Sequence, residues 1–224
     1  MELTPNRGEI LRYLGYHGQE IDSQTLDLLD TCMKAMADSV KPRFCYRIFP
    51  LEHGDTVFLP ECDLQLPGDA IKKHLQGCRK CALLAATLGI EADNLIRISE
   101  AESMTRAVML DACATELAEQ LCDHAELEIG AIAARDGCGL TTRFSPGYGD
   151  LPMTLQSRIS EILDTSRKIG LTITEQFLMI PRKSVTAILG FTQAQDSNKK
   201  NHDCSCCSMN GHCQFQKEDS ACGR

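Results

Sequence analysis

From Ser23 onward the apolar positions Leu26, Leu29, Met33, Met36 and Val40 recur at steps of three and four, which predicts a helix that Pro42 stops. The next run, RFCYRIFPL over residues 43–51, is β-prone, and residues 56–59 read as a second short strand. His53-Gly54-Asp55 supplies the turn between them. After Leu66-Pro67-Gly68, the positions Ile71, Leu75, Cys78, Ala82 and Ala85 again follow helical spacing. They predict one long helix ending near Leu88, with Gly89 as its C-cap. A third amphipathic segment covers about residues 101–125, with Met109, Cys113, Leu117 and Leu121 on one side and Glu116, Glu119 and Asp123 interleaved. Residues 137–139 and 141–150 read as an irregular loop. Pro152 then stands at a first helical position, and Ile159, Ile162, Leu163 and Ile169 stripe a fourth helix that Gly170 closes. Two β-rich runs, 171–179 and 184–191, flank Pro181-Arg182-Lys183. Helices and strands mixed in this order predict an α/β or α+β domain with a largely antiparallel sheet.

The pattern ends after Phe191. Residues 1–192 form the expected globular domain, and residues 193–224 form a polar tail with five cysteines and two histidines. No internal repeat is present. The 224 residues are 43% apolar, enough for a sizeable core that folds without disulfides. A net charge of −8, scattered along the chain, gives no electrostatic footprint for nucleic acid or an anionic membrane. The opening MELTPNRGEI lacks a secretion signal and no apolar stretch is long enough to span a membrane, so the expected location is cytoplasmic. Of the 13 cysteines, Cys32, Cys45, Cys62, Cys78, Cys81, Cys113, Cys122 and Cys138 lie in apolar-patterned segments and read as small buried hydrophobes. Cys78 and Cys81 resemble a redox pair by spacing, but their helical pattern favours core packing.

Within residues 143–150, RFSPGYGD, Pro146 fixes φ and Gly147 permits φ > 0, so Ser145-Pro146-Gly147-Tyr148 favours a type II turn. Arg143 flanks it with a planar fork suited to a carboxylate, and Tyr148 offers a ring face or a hydroxyl. Taken alone, these residues fit either a polar-ligand seat or an ordinary surface turn with a solvated arginine.

The wider context resembles the C-terminal activation domain of cobalamin-dependent methionine synthase, in its short free-standing form. That family carries Arg-x-x-x-Gly-Tyr, then a helix, a Leu-Thr-Glu-Ser segment, a Met-x-Pro and a Ser-Val strand. Arg143, Gly147 and Tyr148, then Thr174-Glu175, Met179, Pro181 and Ser184-Val185, stand in that order here. Upstream, Leu117-Ala118-Glu119 is similar to the family's acid-supplying helix. The resemblance covers about residues 107–190. It implies an α+β fold, with a largely antiparallel twisted sheet flanked by helices. It also implies S-adenosylmethionine binding: Arg143 on the methionyl carboxylate, backbone near Ser145 and Gly147 lining the site, Tyr148 facing the ligand, and Glu119 opposing its positive charge. The implied partners are a cobalamin-carrying methyltransferase subunit and an electron donor, with no acid or base catalyst in this chain.

The chain departs from the family in having no tryptophan, where longer members use an Asp-Trp segment, and in continuing from Phe191 as Thr-Gln-Ala-Gln-Asp without adjacent aromatics. It also lacks the Asp-x-His-x-x-Gly pattern of cobalamin-binding modules, so it is no complete synthase. In the tail, Cys204, Cys206, Cys207 and Cys213 offer ligands for zinc or an iron–sulfur cluster, although C-x-C-C-x5-C matches no familiar spacing closely. Two rival readings follow: a metal or iron–sulfur redox protein acting through the tail, and a sensor that binds S-adenosylmethionine without transferring its methyl.

Overall fold

The computed structural model describes Met1 and residues 3–193. It begins with α1 (Arg7–Tyr13) and α2 (Ser23–Ser39). Asn6 and Asp22 cap these helices, their side chains accepting backbone N–H groups of the first turns. The edge strand β1 (Arg43–Pro50) follows, then a small sheet of β2 (Glu52–His53), β3 (Val57–Leu59) and β4 (Leu64–Leu66). The short α3 (Asp69–His74) leads into β5 (Lys80–Thr87). Two helices, α4 (Ile90–Glu102) and the 32-residue α5 (Met104–Arg135), precede β6 (Cys138–Leu140). The chain closes with α6 (Leu155–Leu163), α7 (Thr165–Ile169), the hairpin β7 (Thr172–Ile173) and β8 (Met179–Ile180), and β9 (Ser184–Gln193).

The central sheet is antiparallel in the order β1-β5-β9-β6. Helices and small hairpins cover it on both sides, so the architecture is α+β with an antiparallel sheet, as expected. Alternation along β5 divides the core. Cys81, Leu83 and Ala85 join Phe49, Leu75, Ile159, Leu163 and Ile188 beneath α3, α6 and the small sheets. Ala82, Leu84 and Ala86 face the opposite layer, where α5 contributes Leu110, Leu117, Ala125 and Ile129.

One long helix over residues 71–88 does not form. Only its first turns survive as α3; Gly77 at φ 79° breaks the helix, and residues 80–87 form the strand β5. A strand buried on both faces reads as an unbroken apolar run, and Ala and Leu let that run mimic helical spacing. Gly89 accordingly begins α4 instead of ending a helix. The third predicted helix is present but runs to Arg135, and residues 138–140 are an edge strand instead of loop. The fourth is two helices, broken at Asp164 (φ 54°), and Pro152 lies before its first turn. Gly170 does close α7, at φ 74°.

No two of the eight described cysteines are joined in a disulfide. Cys32, Cys78, Cys81, Cys113 and Cys122 are buried, while Cys45, Cys62 and Cys138 are half-buried. Cys81 sits on a strand, not a helix, but packs in the core as expected. No helix among the described residues is long and apolar enough to cross a membrane.

Candidate functional site

Beyond β6 the edge of the sheet continues irregularly. Leu140 pairs with Phe191, but the next bridge joins Phe144 to Ile188, so one extra residue is inserted on the edge strand. Thr141 repairs the gap: its N–H donates to the Gly190 carbonyl, and its hydroxyl accepts the Gly190 N–H, both at 2.9 Å. Past this bulge, Phe144 packs on the α3 and α6 side, and Arg143 points to α5.

Arg143 lies under α5 with its side chain only 11% exposed. Nη2 is 2.7 Å from Glu119 Oε2, Nη1 is 3.2 Å from Asp123 Oδ1, and Nε is 3.1 Å from Glu126 Oε1. Burial works against its charge, but the Cys122 thiol and the carboxylates of Glu119, Glu126 and Asp123 more than compensate and raise its pKa. A guanidinium has five N–H groups. Three of them face these carboxylates, which leaves one on each terminal nitrogen not engaged by them.

The turn forms as its sequence predicts. The Tyr148 N–H donates to the Ser145 carbonyl at 3.0 Å, and Gly147 adopts φ 91°, the geometry of a type II turn. Tyr148 is 40% exposed, with its ring edge-to-face on Phe144. Phe144 in turn leans on His74, whose Nε2 lies 2.9 Å from the Thr142 carbonyl. Asp150 fastens the far end of the loop by accepting the Asp69 and Ala70 N–H groups at 2.6 and 3.1 Å, in effect capping α3 from outside. Those two donors hold the Asp150 carboxyl below its ordinary pKa.

The structure therefore brings Arg143 together with Glu119 under α5 and sets Ser145, Gly147 and Tyr148 in one turn that follows Arg143, with Tyr148 packed on Phe144 on the α3 and α6 side. Sequence reasoning missed the roles of Asp123 and Glu126, although their spacing from Glu119 on one helix face was a usable signal. It also missed Asp150, whose partner lies 81 residues earlier. Cys204, Cys206, Cys207 and Cys213 lie outside the described residues, and among the described residues no group of three or more His, Cys, Asp or Glu side chains could hold a metal. A cleft of about 710 Å³ opens at the other end of β6, between Arg79, Lys80, Asp136, Cys138 and Gln193, and among the described residues none of the predicted site residues lines it.

Fold and site together define an α+β domain whose sheet edge carries a type II turn two residues after an arginine held by carboxylates. Among solved structures it is similar to the MetH reactivation domain bound to AdoHcy, with a TM-score of 0.60 and 17% identity, over 82% of this chain and 73% of that one. At that identity the likeness is one of fold. No protein-family model and no curated protein matches the sequence.

Proposed function

We propose that this chain is an S-adenosylmethionine-binding auxiliary protein for the reductive reactivation, by remethylation, of the cobalamin of a methionine synthase or related corrinoid methyltransferase. The observation that carries this reading is the Arg143 to Tyr148 turn, standing on a fold shared with a domain solved with AdoHcy bound. The donor set suits such a ligand. The two spare N–H groups of Arg143 match an amino-acid carboxylate, and the surrounding carboxylates match an ammonium and a sulfonium. The exposed ring of Tyr148 offers a face for cation–π contact.

S-adenosylmethionine supplies the methyl group, and a partner subunit supplies the cobalamin, with electrons from a separate donor. The work of this chain is positioning: Arg143 fixes one end of the ligand, the turn fixes its side, and no residue transfers a proton.

Calorimetric titration with S-adenosylmethionine tests the reading. The native chain binds saturably, and Arg143→Ala lowers affinity at least about tenfold, the scale of a lost charge-assisted bidentate pair. A variant that melts normally yet binds like the native chain would remove Arg143 from the site. Methyl transfer to reduced cobalamin on a partner subunit then separates reactivation from sensing.

A further inference from the structure

Residues 3–6 reach α5 at a buried carboxyl. Glu116 is 4% exposed. Its Oε1 accepts a hydrogen bond from Gln120 Nε2 at 2.5 Å, and the same Nε2 donates to the Thr4 carbonyl at 2.7 Å. Gln120 is thus the latch that ties the N-terminal segment to the carboxyl. Glu116 Oε2 is buried without a hydrogen-bond partner among the described residues. From the N-terminal segment the Asn6 N–H and, on α1, the Glu9 carboxylate face Glu116. From α5 itself it meets Gln120, Asp123 and Cys113, and Cys113 in turn faces Cys32 of α2. Glu9 and Asp123 repel a negative charge at Glu116, while Arg12 of α1 pairs with Glu9 at 2.8 Å.

The helix α1 is fastened independently, by fully buried Ile10 and by the ion pair of Arg7 with Asp30 of α2. Residues 3–6 are held less firmly, with Thr4 and Asn6 exposed and Leu3 and Pro5 half-buried.

We propose that residues 3–6 form a proton-gated strap, closed on α5 while Glu116 carries its proton and lifted once that proton leaves. A buried carboxylate oxygen with no donor is costlier than the same oxygen in a neutral carboxyl. Lifting four residues admits water to Oε2 and leaves α1 in place. In the closed form burial, with Glu9 and Asp123, holds the Glu116 pKa above its ordinary value, against the hydrogen bonds from Gln120 and Asn6. In the lifted form water restores the ordinary glutamate value. Closure is therefore complete below the ordinary glutamate pKa and is lost as pH rises through the raised value. One proton is linked to the motion, so the lifted-to-closed ratio rises by no more than about tenfold per pH unit and levels off above the raised value. The strap is a property of the free chain and does not depend on the ligand reading above.

NMR of the full chain, labelled with nitrogen-15 and titrated from about pH 4 to pH 9, spans the ordinary glutamate pKa and the range above it. Heteronuclear relaxation of Leu3, Thr4 and Asn6 reads the mobility of the strap, and solvent exchange of the Asn6 N–H, corrected for hydroxide, reads its opening. Amides of β5 are the reference for intact fold. In the native chain strap mobility and Asn6 exchange should rise with pH and then level off. In Glu116→Gln they should be flat, and Glu116→Met, apolar and of similar length, gives a second flat reading should the first variant disturb the β5 reference. Glu9→Gln keeps the rise but reaches the plateau at lower pH, because one repelling charge is gone. A native strap equally ordered across the range overturns the proposal. So does a rise that persists in both Glu116 variants, or one that Glu9→Gln alone abolishes.

Discussion

Single residues carry the strain and charge of this site. Gly147 holds φ 91°, and a Cβ there would also meet the Met153 methyl at 2.6 Å. Met153 is half-exposed and able to move, so the backbone conformation sets most of the cost. Gly147→Ala should lose about 1–3 kcal/mol, read as a lower denaturant midpoint with an unchanged slope. Glu116 makes a prediction of opposite sign. Burial raises its pKa, against hydrogen bonding from Gln120 that lowers it, so its ionised form opposes folding. Its contribution to stability is complete below the ordinary glutamate pKa and is lost as pH rises through the raised value. Glu116→Gln should therefore raise the melting temperature near pH 8, with the gain shrinking towards pH 4. A gain independent of pH would show that the carboxyl is not the cause.

Among the elements, β9 is the one through which the rest is built. Gly190 sits where it passes both α3 and the bulged edge, and a Cβ there would meet Cys78 Sγ at 2.6 Å, Leu75 Cδ2 at 2.8 Å and Thr141 Cγ2 at 3.2 Å. Gly190→Ala should cost about 1–3 kcal/mol by overpacking, and thermal melts compare it directly with the native chain. Elements with one wet face were legible in the sequence: α2 and much of α5 follow from their apolar stripes, and the turn around Gly54 from its residues, although the strand over 43–50 pairs with β5 and only the two-residue β2 pairs with β3. The strand β5 was not legible, because burial on both faces erases the alternation that marks a strand. In the site, the turn was readable from Pro146 and Gly147, whose φ preferences are local. The ion-pair cluster was readable only in part, because it depends on where the edge strand crosses α5.

Across the whole molecule, the thiols follow burial. Burial raises the pKa of Cys113 and Cys122 to about 12 each, and drives that of Cys81 up as well. Alkylation near pH 8, mapped by mass spectrometry, should label half-buried Cys138 well before Cys32, Cys78, Cys81, Cys113 and Cys122, which react on unfolding. Early labelling of Cys81 would mean that the sheet opens at its centre.

The extra residue between Leu140 and Phe144 acts as a phase shift. Side chains along a strand alternate, so an unbulged ladder that kept every residue would pair Arg143 with Ile188 and carry Phe144 towards α5 and Arg143 away from its carboxylates. A chain shortened by one at Thr141 or Thr142 closes into a regular ladder with Phe144 still opposite Ile188, so Phe144 and Arg143 should keep their present sides. What the bulge secures is therefore the sense of Arg143 and Phe144 for a segment of this length, and a segment one residue shorter would secure the same sense without a bulge.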